Sequence, residues 1–183
     1  INGVAGHAAN QMRIDGYREV FAKYPGIEVV NETNANWDQA QGQQAMQTLL
    51  ATYPDIDGVW VQDGMAAGAW RAINEAGRTD IAATGEIRVD FLNDWKANGY
   101  RSAASVNPPG VMASALNVAV LRLQGREFKD DVFGGVYGNA IYLPIPFISN
   151  ENFEEVYEQV KDKPGYYSVT SSITVEEAEQ FFQ

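Results

Sequence analysis

The chain has 183 residues, 45% hydrophobic and 20% charged, with 13 Lys and Arg against 24 Asp and Glu and a net charge of −11. That length allows one domain with a full core or two small lobes, and the acidic balance argues against nucleic acid and anionic membrane surfaces as partners. There are no cysteines, which excludes disulfides, thiol nucleophiles and cysteine-ligated zinc, and no apolar run is long enough to span a bilayer.

Strand and helix patterns alternate along the chain. Residues 1–5 read as a strand end, running into the turn Gly3-Val4-Ala5-Gly6. Residues 10–24 carry Met12, Tyr17, Val20, Phe21 and Tyr24 at helical spacing, stopped by Pro25-Gly26. The β-branched run 27–32 reads as a strand. A helix over 37–53 carries Ala45, Met46, Leu49 and Leu50 and ends before Pro54. A strand at 58–61 precedes an alanine-rich helix over 65–76, closed by Gly77. A strand at 81–84, a short helix at 91–97 and a strand at 102–106 follow. Pro109 suits the start of a helix over 111–123, which carries Leu116, Val120 and Leu123. After Gly125 the pattern loosens, and 140–148 reads as an edge or crossing strand because it holds two prolines. Two tail helices, 152–160 and 174–182, close the chain, the second opening on the capping box Thr174 and Glu177. Met12, Met46, Met65 and Met112 read as core.

Repeated β-α-β-α order predicts an α/β fold, a doubly wound parallel sheet with helices on both faces. Ligands in such folds sit beyond the carboxyl ends of the strands, so the residues there carry the functional signal. They are His7, Asn10 and Arg13 after the first strand; Asn34, Asn36, Trp37 and Asp38 after the second; Gln62 and Asp63 after the third; Glu86 and Arg88 after the fourth; and Asn107 after the fifth. Amides, carboxylates and a guanidinium form paired hydrogen bonds with vicinal hydroxyls, and an indole face suits the C–H side of a sugar ring or polyol. Each residue also has an ordinary structural role open to it. Arg13 can be salt-bridged, Trp37 can be packing, Asp63 and Glu86 can cap helices, and Asn107 can shape a turn before Pro108. The weight rests on their falling at strand ends together. A lone histidine, His7, is weak evidence for catalysis or metal. No GxxxxGK[ST] phosphate cradle and no nucleophile–base pair is present, so neither an enzyme, a cofactor nor a metal is expected.

Three stretches carry a resemblance: GVAGHAANQMRIDGY, NWDQAQGQQAMQTLLATYPDIDGVWVQDGMAAGAWRAI and VNPPGVMASALNVAVLRLQGREF. They resemble the C-terminal part of type I periplasmic sugar-binding proteins, the ribose-binding-protein-like solute receptors of ABC transporters. The resemblance implies a Rossmann-like lobe with an incomplete second lobe. Residues 1–107 would form the C-terminal lobe, 108–143 a segment of the N-terminal lobe, and 144–183 the return to the C-terminal lobe with tail helices. On the order of a hundred residues, one ordinary lobe, would precede Ile1. The implied ligand is a monosaccharide or polyol clamped between lobes and delivered to a membrane permease, in the periplasm or lipid-anchored outside the cell. By position Arg13 matches the arginine on sugar hydroxyls, Trp37 the aromatic on the ring, Gln62 and Asp63 the pair at the third strand end, and Asn107 an amide near the hinge. Gly85-Glu86-Ile87 stands where ribose binders show Gly-Phe-Asp, which places Glu86 in the site and speaks against ribose itself. A second implication of the fold is the effector core of a lactose-repressor-type regulator. If the other lobe is absent, the helix over 111–123 is expected to associate with another copy through its apolar face.

Overall fold

The computed structural model describes residues 1–105, 108–135 and 137–183. Its sheet has four strands in the order β1 (Gly58–Val59), β2 (Ala82–Thr84), β3 (Arg101–Ser105) and β4 (Phe147–Ser149). The first three are parallel, and β4 runs antiparallel to β3 along its edge. The helices are α1 (Ala8–Phe21), α2 (Gln39–Thr52), α3 (Ala66–Glu75), α4 (Val89–Asn98), α5 (Val111–Leu123), α6 (Phe153–Val160) and α7 (Val175–Ala178), which continues into a 3₁₀ turn, Glu179–Phe181. The α/β alternation expected from the sequence is therefore present, and the helices up to α6 keep their ends to within three residues of expectation.

Backbone bonds extend the sheet beyond β1. The amide of Gln62 donates to the Ile1 carbonyl at 3.2 Å, Asn2 donates to Thr33 at 2.7 Å, and Ala35 donates to Asn2 at 2.8 Å. Residues 1–3 thus lie between 33–35 on one side and 60–62, the continuation of β1, on the other. The connection through α1 goes to 33–35 on one side and the next, through α2, crosses to β1 on the other, which makes this stretch the switch point at which doubly wound sheets bind ligands.

Two expected strands shrink. The stretch 1–5 forms only the parallel bridge Asn2 to Asn34, whose partner lies just past 27–32, and 27–32 itself pairs with no strand among the described residues. Ile27, Val29 and Val30 are consequently exposed. The strand expected over 140–148 is limited to Phe147–Ser149, since Pro144 and Pro146 lack the N–H a ladder needs. The expected long tail helix is one α-turn and one 3₁₀ turn. Its Thr174–Glu177 capping box is formed in both directions.

Strand alternation sorts the helices between the two faces. Val61, Ala83, Ala104 and Ile148 point into the main core with Met46 of α2, Ile73 of α3, Leu92 and Trp95 of α4, and Phe153 of α6. Trp60 points the other way and meets Tyr17 of α1, ring centroids 4.4 Å apart. Helix α1 buries the stripe Asn10, Ile14 and Tyr17. That choice corrects the expected apolar face, leaving Met12, Val20 and Tyr24 in solvent. Met46 and Met65 are fully buried, whereas Met12 and Met112 are exposed and do not belong to the core. A second, smaller cluster joins Leu121 of α5 to Ala178 and Phe182 of the tail. Away from it α5 presents Met112, Leu116 and Leu123 to solvent, 63% exposed or more.

Candidate functional site

At the switch point the backbone turns sharply twice. Helix α1 starts at Ala8 because the His7 Nδ1 accepts from the Ala9 N–H at 3.2 Å, an N-cap made by an imidazole. Between 33–35 and α2 the chain makes a tight turn in which Asp38 N donates to Ala35 O at 2.9 Å. Both central residues of that turn have positive φ, Asn36 at 56° and Trp37 at 57°. Asparagine tolerates the left-handed region, but tryptophan has no such preference, and each such residue costs about 1–2 kcal/mol. Asp38 then caps α2 by accepting from Gln41 N at 2.8 Å.

The strain at Trp37 is held by contacts on two sides. Its Nε1 donates to Gln62 Oε1 at 2.7 Å. Its ring lies against the backbone of Gly3, where a Cβ would stand 2.1 Å from Cε2. The His7 ring meets the indole edge-on at 5.0 Å, and the Arg13 guanidinium lies 5.8 Å from the ring centroid. Arg13 Nη1 donates to Asp63 Oδ1 at 2.7 Å and to Gln62 Oε1 at 3.5 Å. Arg13 and Asp63 keep about a third of their side-chain surface in solvent, so the pair contributes little to stability and both groups remain available to a ligand.

Two residues to which the sequence gives no specific role complete this arrangement. Asn10 Oδ1 accepts from Gln62 Nε2 at 2.6 Å and from Gly3 N at 2.8 Å. Gly3 supplies the flat platform under the indole. The only prior signal for Asn10 is its place on the rim, and for Gly3 the Gly-x-x-Gly turn.

Trp37, Arg13, Asp63, Gly64 and Ala9 line a hollow of about 340 Å³. Arg13 and Asp63 also border a larger one of about 490 Å³, which extends over the open face of the sheet past Thr84, Ala103 and Phe147. The structure therefore brings Arg13, Trp37, Gln62 and Asp63 together, with His7 at the rim of the indole. Glu86 is set apart from them. It is buried, and its Oε1 accepts from Ala67 N at 3.2 Å in the first turn of α3. Burial pushes its carboxyl above the usual carboxylate range, against the opposing effects of the Ala67 N–H and Arg88. Its position matches the capping alternative, though the helix capped is the preceding one. Asn107 lies outside the described residues.

This arrangement can hold an uncharged polyhydroxy compound: a carboxylate to accept from hydroxyls, a guanidinium to donate to them, and an indole for the C–H face. Among the described residues there is no cluster of three metal-ligating side chains.

Known proteins resemble this chain over most of its length. The periplasmic binding protein domain family matches residues 1–127. A xylitol-binding protein of Mycolicibacterium smegmatis is 30% identical over 163 residues, covering 87% of this chain and 44% of that protein. A ribose import binding protein of Salmonella typhimurium is 35% identical over 131 residues, covering 70% of this chain and 44% of that protein. Among solved structures, an ABC transporter solute binding protein from Thermobispora bispora superposes with a TM-score of 0.75 at 22% identity, over 98% of this chain and 52% of that one. The chain spans less than half the length of these two curated relatives.

Proposed function

Because the chain belongs to the periplasmic binding protein domain family, we propose that it is the larger part of one lobe, and a piece of the other, of a solute receptor that binds a monosaccharide or polyol for import by an ABC transporter. The observation that carries this reading is the convergence of Arg13, Asp63 and Trp37 on one hollow at the switch point of the sheet. Relatives named for xylitol binding and ribose import support it, and favour it over the effector core of a lactose-repressor-type regulator. The mechanism proposed is closure of two lobes over the ligand, with no covalent chemistry: hydrogen bonds from both sides are stronger in the closed form, and that difference drives closure. A permease reading the closed form would then receive the ligand, in the periplasm or at the outer cell surface.

The lobe division remains part of this proposal, and the two cores bear on it differently. Residues from 1–105 and α6 contribute to the main core, which suits one lobe. Helix α5 packs on the last turns of the tail, which groups those turns with the segment proposed for the other lobe, whereas the resemblance returns the whole of 144–183 to the first. The apolar outer face of α5 is where this reading places a second copy of the chain if the remainder of the other lobe is missing.

Calorimetric titration with xylitol, D-ribose and related polyols tests the function. Trp37→Ala and Arg13→Ala are each expected to weaken binding tenfold or more. Unchanged affinity in both would remove these residues from the site.

A further inference from the structure

Gln62 is 3% exposed, and Asn10 is equally buried. The bonds between them fix both amides. At one end of the chain the Trp37 indole N–H can only donate; at the other the Gly3 N–H can only donate. Gln62 must therefore turn its oxygen to Trp37 and its nitrogen to Asn10, and Asn10 must turn its oxygen to both Gln62 and Gly3. The same Gln62 oxygen also accepts from Arg13, so both of its lone pairs are engaged by protein groups. Little of this side chain remains for a ligand. What it does touch are the aromatic and the cation that border the hollow, and the aromatic sits on a backbone with two consecutive residues at positive φ.

We propose that Gln62 is a positioning residue and not a ligand contact: with Asn10 behind it and Gly3 beneath the ring, it holds the Trp37 indole in the orientation that lines the cleft before any ligand arrives. The proposal deepens the functional reading above, since it takes the cleft to be the ligand site. Asp63, next in the chain, is then the residue of the pair at the third strand end that meets the ligand.

The test uses ¹⁵N-labelled protein without sugar. The four tryptophans give four indole N–H signals, and Trp37→Phe identifies the one from Trp37. In the parent protein this hydrogen is expected to exchange with solvent at least tenfold more slowly than in a free indole. In Gln62→Leu its exchange should accelerate tenfold or more and its signal should move, while those of Trp60, Trp70 and Trp95 stay in place. An unmoved, still protected Trp37 signal in Gln62→Leu overturns the proposal. If Gln62→Leu does not fold and all four signals collapse, Gln62→Asn decides by the same two outcomes, being one methylene too short to reach. Titration of the same proteins with xylitol and D-ribose keeps the two ideas separate. Absence of binding in the parent counts against the functional reading alone, whereas the indole result is obtained without a sugar.

Discussion

At the scale of single residues the cleft depends on very close contacts. A methyl group on Gly3 would overlap the Trp37 ring, with the nearest atom 2.1 Å from the added carbon. Gly3→Ala is expected to displace the indole, to weaken polyol binding tenfold or more by calorimetry, and to lower stability by about 1–3 kcal/mol in urea. An unchanged affinity would show that the platform under the ring is dispensable. Arg13, Trp37 and Asp63 were legible in the sequence because polar and aromatic groups at strand ends stand out from composition and order alone. Gln62 was legible as a member of the group, but its role was not. Whether an amide faces a ligand or a neighbouring indole depends on side-chain direction, which strand position does not specify. The positive φ at Trp37 was invisible for a similar reason: local preference predicts glycine or asparagine there, and tertiary contacts override it. For Glu86 the acidic character was plain from the sequence, and its partner, the first turn of the helix before it, was not.

At the scale of elements, α3 is the one most exposed to error, since it is packed on the sheet, on α2 and on Glu86 together. Gly68 lies so close to α2 that an added Cβ would sit 2.0 Å from the Gln39 carbonyl oxygen. Gly68→Ala is expected to cost about 1–3 kcal/mol in urea denaturation, through backbone displacement and not through helix propensity, which alanine would improve. A neutral or stabilising result would mean the two helices can move apart freely. At the start of the same helix the buried Glu86 carboxyl is held above its ordinary value of 4.5. A carboxyl whose folded pKa is raised binds its proton more tightly in the folded state. Its favourable contribution is complete below the unfolded value and is lost as pH rises through the raised one. Glu86→Gln should therefore raise Tm relative to the parent at pH 7, with the difference shrinking as pH falls toward about 4.5 and gone below it, read by calorimetry across pH. A difference that grows toward acid pH would mean that the ionised form is the one the helix start stabilises. Long periodic helices such as α2 and α5 were legible to within two residues. The outer strands were not, because β-branched composition at 27–32 announces a strand whether or not a neighbour is present to pair with it.

At the scale of the whole molecule, the charge of −11 disfavours close approach of two copies except through surfaces that carry no charge of their own. From Val111 to Leu121 α5 has no charged residue, and its outer face holds Met112, Leu116 and Leu123. Light scattering is expected to show a concentration-dependent increase in mass that Leu116→Glu abolishes; a monomer at every concentration would remove self-association from the reading. The two cores have a consequence of another kind. Hydrophobic burial makes folding cooperative only where the buried groups touch, and the small cluster around Leu121, Ala178 and Phe182 is separate from the cluster around Met46, Leu92 and Trp95. The amides of α5 and the last ten residues should then exchange with solvent through openings of much lower free energy than those of β2, β3 and α3. Heat would melt this protein in two steps, the smaller cluster first, while the Trp37 cleft remains intact on the half that still holds together.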